Sequence, residues 1–265
     1  MKKSFKNCFH PVIGVGVFMV CFFAAITVKA ADRYYYEIKV YHLKTSAQEE
    51  RVDHYLQNAY LPALHKIGVK NVGVFKPVTV DTADRKIYVF IPFSTWDKLE
   101  NADQKLMKDE QYLSDGKDYL DALYNNQPYT RIETIILKAF PNMIAPALPN
   151  LTGNKADRVY ELRSYESATE KYHINKVKMF NEGGEIPLFK RLNFNAVFYA
   201  DVIAGSRMPN LMYMTTFNNK QDRDDHWKAF SADAEWKQLS GRPEYQHNVQ
   251  KNDDVFLHPV SYSDF

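Results

Sequence analysis

Tyr36-Glu37-Ile38-Lys39-Val40-Tyr41 and Tyr160-Glu161-Leu162-Arg163-Ser164-Tyr165 are one pattern written twice, with Glu37 answered by Glu161 at a spacing of 124 residues. The register holds outward from there. Leu61-Pro62 is answered by Ile186-Pro187 at 125, Ile87-Tyr88-Val89-Phe90 by Leu211-Met212-Tyr213-Met214 at 124, and Tyr112 by Trp236 at 124. A match in residue type at four places with nearly constant spacing marks an internal repeat. Between the copies, residues 141–157 carry Pro141, Pro146, Pro149 and Gly153 without apolar periodicity, the mark of a linker. The expected units are residues 32–140 and 158–265.

Each unit reads as β-α-β-β-α-β. In the first, Tyr34 to His42 alternates as a strand, and Ser46 to Ile67 has helical spacing with Ser46 as its cap. Val69 to Val80 and Arg85 to Phe93 form a hairpin around Asp81-Thr82-Ala83-Asp84. A helical region over Trp96 to Tyr124 and a closing strand over Arg131 to Phe140 complete the unit. This is the ferredoxin-like order, an antiparallel sheet with both helices on one face. The other face needs a cover, and two copies in one chain supply it. The expected fold is α+β, with the two units packed sheet to sheet as an intrachain pseudo-dimeric barrel.

Strand alternation sorts the side chains. Tyr36, Ile38 and Val40 share one face and Glu37, Lys39 and Tyr41 the other; Glu161, Arg163 and Tyr165 likewise oppose Tyr160, Leu162 and Ser164. If the helices take the more apolar face, an acid, a base and a tyrosine from each copy face the lumen, where they form local ion pairs or line a ligand pocket. Tyr199 and Tyr213 are further candidate pocket tyrosines, whose facing the sequence does not fix. In Met179-Phe180-Asn181-Glu182-Gly183-Gly184-Glu185-Ile186-Pro187, paired glycines weaken a helix. Either the helix breaks before Pro187, or a ligand or backbone approaches closely beside Asn181, Glu182 and Glu185.

The N-terminus has Lys2, Lys3 and Lys6, an apolar run from Pro11 to Val28, and Val28-Lys29-Ala30 ahead of Ala31. That is the layout of a signal peptide over residues 1–30 with cleavage near Ala30, so the expected location is secreted or periplasmic. Uncleaved, the segment is a short membrane anchor. Both cysteines, Cys8 and Cys21, fall inside it, which removes thiolate and Cys-ligated metal chemistry from the mature chain. Composition is ordinary for a globular protein, 45% hydrophobic and 25% charged, with 34 Lys+Arg against 32 Asp+Glu. Without a basic excess, nucleic acid is not an expected partner. No metal-ligand spacing, nucleophile elbow or nucleotide loop is present.

Asp225-His226-Trp227-Lys228-Ala229-Phe230, followed by Asp233-Ala234-Glu235-Trp236, resembles the helix-two signature of the NIPSNAP family, and Val159 to Tyr165 resembles its opening strand. The likeness covers about residues 158–265. It extends more weakly to 32–140, where the tryptophans are reduced to Trp96 and Tyr112. The Pro-Gly often found after the opening strand is replaced by Glu166-Ser167-Ala168-Thr169. The resemblance implies a dimeric α+β barrel and no settled reaction; that superfamily holds cofactor-free monooxygenases, haem-dependent enzymes and binding proteins. Two functions stay open. One is an exported protein binding a small molecule in the lumen, without a cofactor. The other is an oxygenase-type enzyme, cofactor-free or with haem on His54, His173 or His226, in which Arg163 fixes an anionic group and Glu161 serves as base or orienter. A further oligomer is compatible with either.

Overall fold

The computed structural model describes Met1 and residues 32–265. The expected leader beyond Met1, its cut near Ala30, and both cysteines lie outside these residues. In the first half, β1 (Tyr35–Leu43) leads to α1 (Ser46–Tyr55), which runs through a π turn (Leu56–Tyr60) into α2 (Leu61–Lys66). Then come β2 (Gly73–Pro77), β3 (Arg85–Phe93), the short helices α3 (Trp96–Glu100), α4 (Ala102–Leu106), α5 (Glu110–Asp115) and α6 (Lys117–Leu120), and β4 (Arg131–Ala139). The second half repeats the order with β5 (Val159–Glu166), α7 (Glu170–Asn181), α8 (Glu185–Arg191), β6 (Phe198–Ala204), β7 (Asn210–Phe217), α9 (Lys220–Ala232), α10 (Ala234–Ser240) and β8 (Lys251–Pro259).

The helix that follows each of β1, β3, β5 and β7 opens with the same chemistry. Thr45, Thr95, Thr169 and Asn219 are extended residues whose side-chain oxygens accept from the amides of Gln48, Lys98, Tyr172 and Asp222, satisfying a donor the helix itself leaves unpaired. The first cap is thus Thr45, one residue before the expected Ser46. The two matched prolines are accommodated differently. Pro62 has no N–H to give the preceding turn, and the helix continues by widening into the π turn, where the Leu61 amide bonds the Leu56 carbonyl. Pro187 instead sits in the first turn of α8, where no intrahelical donor is needed, after a break at Gly183-Gly184. Gly184 has φ +102°, a conformation open to glycine. A side chain on Gly183 would meet the Met179 carbonyl oxygen at 2.6 Å. The paired glycines therefore make a helix break.

The eight strands close into one antiparallel barrel in the order β1-β3-β2-β8-β5-β7-β6-β4. Within each half the sheet is ferredoxin-like, and the halves join by hydrogen bonds between edges, β2 to β8 and β4 to β6. Ala31–Phe265 is one unit.

The lumen core draws on both halves: Tyr36, Ile38, Val40, Phe75, Phe90, Leu137, Tyr160, Leu162, Phe198, Met212 and Met214 pack there together. The sequence-based facing is therefore inverted. Glu37, Lys39, Tyr41, Glu161, Arg163 and Tyr165 point outward beneath the helices. Closing a barrel of eight strands removes its inner face from water on every side, so that face takes the apolar set, and the helix-facing layers take the charges. One end of the lumen is plugged by aromatic rings: Phe90 stacks on Phe198 at 5.0 Å, and Phe75 meets Tyr160 at 4.9 Å. The C-terminal Phe265 joins them, held by the Asp264 amide on the Val72 carbonyl and by the Val74 amide on the Ser263 hydroxyl. No helix among the described residues is long and apolar enough to cross a membrane.

Candidate functional site

Two places bring chemistry together. The first is the open end of the lumen, opposite the aromatic plug. Ile38 and Val40 of β1, Ile135 of β4, Leu162 of β5 and Met212 of β7 line a cavity of about 380 Å³, with Lys86, Glu133, Arg207 and Asp253 at its rim. The rim charges are partnered: Arg207 with Glu166 and Asp253, Lys86 with Asp84, and Glu133 with the Ser206 hydroxyl. Tyr88, on the lumen face of β3, also lines this space. Burial, with Glu133 nearby, pushes its phenol up to about 12, so it is a hydrogen-bond donor at neutral pH.

The second place is the layer between the sheet and the helices of the second half. Glu161 is fully buried and accepts four bonds: from Arg163 Nη1 (2.6 Å), Arg223 Nε (3.0 Å) and Nη2 (2.6 Å), and Trp227 Nε1 (2.6 Å). Arg223 and Trp227 are presented by α9 at one-turn spacing. The Arg163 guanidinium lies 4.5 Å from the Trp227 ring centre and 5.6 Å from that of Tyr165. Tyr165 and Tyr213 share a 2.7 Å bond between hydroxyls. Alongside, Lys176 of α7 bonds Glu185 of α8 at 2.8 Å, both buried. Burial pushes the Glu185 carboxyl above the ordinary range, and Lys176 pulls it back only in part.

Of the expected site residues, Glu161, Arg163, Tyr165 and Glu185 are thus gathered in one layer, away from the lumen, and Tyr199 and Tyr213 also face the helices there. Glu37, Lys39 and Tyr41 occupy the matching layer of the first half, where Glu37 and Lys39 pair at 3.5 Å. Asn181 ties the linker down, taking the Asn142 side-chain amide on its carbonyl at 2.6 Å, and Glu182 lies beyond α7 as its C-cap, exposed.

Lys176 and Arg223 were missed by sequence reasoning. Lys176 stands between His173 and Met179-Phe180 on the buried stripe of its helix, so helical spacing would have placed it inside. Of the three histidines considered for haem, His54 is exposed on α1, His173 Nε2 is held by Asp201 at 2.7 Å, and His226 Nδ1 by the Asp222 carbonyl at 2.7 Å. No group of three or more His, Cys, Asp or Glu among the described residues is placed to hold a metal ion.

Residues 160–264 match the NIPSNAP family model. No curated protein matches the chain in sequence. Among solved structures, a proposed monooxygenase of Lactobacillus acidophilus is 12% identical with a TM-score of 0.53, over 86% of this chain and 94% of its own. Another from Fusobacterium nucleatum is 7% identical with a TM-score of 0.55, over 86% and 93%. A NIPSNAP-like domain protein from Burkholderia xenovorans is 18% identical over 41% of this chain and 90% of its own, with a TM-score of 0.37. At such identities the first two carry the dimeric α+β barrel fold and no reaction.

Proposed function

We propose that the protein binds a small, mainly apolar molecule carrying a hydrogen-bond acceptor in the open end of the barrel. The observation behind this reading is the 380 Å³ cavity over Ile38, Val40, Leu162 and Met212. Its volume falls in the range of about 300–1,000 Å³ usual for ligand sites, and an apolar floor with one positioned donor, Tyr88, is the usual composition of such sites. The apolar body of the ligand rests on the β1, β5 and β7 side chains, and its acceptor takes the Tyr88 phenol. The two halves are copies of one duplicated unit. The second half supplies β5 and β7, and the first half supplies β1, β3 and β4, so neither copy builds the site alone.

The test is mass spectrometry of small molecules copurifying with the protein, repeated on Val40→Phe, which fills the floor, and on Tyr88→Phe. The bound molecule is lost at least ten-fold in Val40→Phe and weakened in Tyr88→Phe; an unchanged yield in both overturns the reading. Consumption of oxygen with that molecule would move the assignment to an oxygenase-type enzyme. The location follows the leader: exported from the cell, the chain begins near Ala31, which the intact mass of the protein measures.

A further inference from the structure

The helix-facing layer of the second half is under-supplied with acceptors. Glu161 divides its two oxygens among two guanidinium groups and an indole. Arg163, 8% exposed, has five donors and, among the described residues, places only one on a protein atom; its buried Nε has no partner there. Lys176 Nζ gives one bond to Glu185 and a weak one to Met179 Sδ at 3.3 Å. Arg163 and Lys176 each lie within 6 Å of the Tyr165 ring centre, at 5.6 and 5.4 Å, so two buried cations lie near one ring. Thr215, opposite Glu161 on β7, also buries a hydroxyl without a partner among the described residues. Unsatisfied buried donors are rare, and a cluster of them marks the place of an absent acceptor.

We propose that this layer is a site for a small oxyanion such as a carboxylate, gripped by Arg163 beside Trp227 and Lys176 near Trp236. The planar guanidinium matches a carboxylate edge, and the ammonium supplies a second charge. Tyr165, the ring both cations share, forms the wall. The two tryptophans are half-buried, and Lys176 Nζ lies 5.9 Å from the Trp236 ring centre, so they cover the site and report on it. This site is separate from the open end of the lumen, on the other face of the sheet.

Iodide is both a small anion and a contact quencher of indole fluorescence. In a Trp96→Phe background the remaining emission comes from Trp227 and Trp236. At constant ionic strength, iodide quenching of the full-length protein is expected to saturate, sodium acetate to reverse it, and caesium to produce no saturating component. Arg163→Gln weakens the iodide response at least five-fold, and Arg163→Lys, which keeps charge but loses the fork, weakens acetate more than iodide. Linear quenching in the Trp96→Phe protein, whose site is unsubstituted, or saturation that acetate does not reverse, overturns the proposal; it would mean that water alone fills the layer. Val40→Phe leaves this response intact, so failure here and failure of the lumen site are distinguishable.

Discussion

Beneath the helices of the first half, tyrosines fill the space that charges occupy in the second. Tyr55 stacks on Tyr119 at 3.7 Å with rings 4° from parallel, shares a 2.8 Å hydroxyl bond with Tyr112, and lies against Tyr60 at 5.5 Å. Tyr119 gives its hydroxyl to Tyr41 at 3.4 Å. No buried side-chain polar atom of this layer is without a partner among the described residues. The matching layer of the second half holds Glu161, Arg163, Lys176 and Glu185, with the Arg163 and Thr215 donors left over among the described residues. Stacked phenols with neutral hydrogen bonds stabilise by about 0.5–1.5 kcal/mol for each contact. Buried ion pairs, by contrast, roughly break even with apolar side chains of the same size. The first layer is therefore explained by stability, and the second is not.

The sharpest way to break this contrast is to remove the acid from each half. Glu161→Ala leaves Arg163 beneath the helices without its carboxylate and Arg223 with Asp224 alone, and is expected to cost about 3–5 kcal/mol. Glu37→Ala breaks one long contact to Lys39 at the margin of its layer and is expected to cost less than about 1 kcal/mol. Urea unfolding of the two variants measures the difference. Equal costs would mean that both layers are held by their charges, and the comparison would fail.

Much of this contrast was written in the chain, yet its direction was misread. Alternation in Tyr36 to Tyr41 and Tyr160 to Tyr165 sorts the residues into two sets, and the structure keeps those sets intact. What alternation lacks is the sign, because both faces of this sheet are covered, one by helices and one by the opposite wall of the barrel. The rule that helices take the apolar face holds for a sheet whose other side is wet. In the first half β3 is read to the residue and β1 and β4 within one, whereas β2, expected over Val69 to Val80, is only Gly73–Pro77. The helical region expected from Trp96 to Tyr124 is four short helices, broken at Asn101, Asp109 and Gly116, of which only Asp109 caps the next helix with its side chain. Lys176 was legible from its helical spacing, whereas the partnership of Arg223 with Glu161 needs the register of α9 on β5, which local sequence does not contain.

A cycle on the second ion pair sharpens the argument. Lys176→Met alone leaves Glu185 buried without its partner and is expected to cost about 3–5 kcal/mol, while Lys176→Met with Glu185→Leu is expected to unfold within about 2 kcal/mol of the parent, or later than it. If the double variant is stable but no longer shows saturable iodide quenching, charge in this layer serves binding. If it is as unstable as the single one, the pair is part of the packing.

Acidity gives a third comparison. Burial raises the carboxyls of Glu185 and Glu37, against the pull of Lys176 and Lys39. A raised carboxyl holds its proton in the folded chain at pH values where the unfolded chain has lost it. Its favourable contribution is therefore full below the ordinary glutamate value of about 4.3 and is lost as pH rises through the folded value. Unfolding midpoints of Glu185→Gln and the parent, followed upward from pH 4, should diverge in favour of the variant; parallel curves would mean that the carboxyl is ionised throughout.

The smallest effects should fall where the halves agree. Each layer contains one bond between tyrosine hydroxyls, Tyr55 with Tyr112 at 2.8 Å and Tyr165 with Tyr213 at 2.7 Å. Tyr55→Phe and Tyr213→Phe each leave one hydroxyl to find another partner, and each is expected to cost about 1 kcal/mol in urea unfolding. Equal costs establish that the phenols serve stability in both layers, so that the halves differ through the cations around Tyr165. A cost for Tyr213→Phe well above that of Tyr55→Phe would instead tie the second hydroxyl pair to Arg163, 5.6 Å from the Tyr165 ring centre. The pair would then be part of the charged network, and the iodide response should weaken with it.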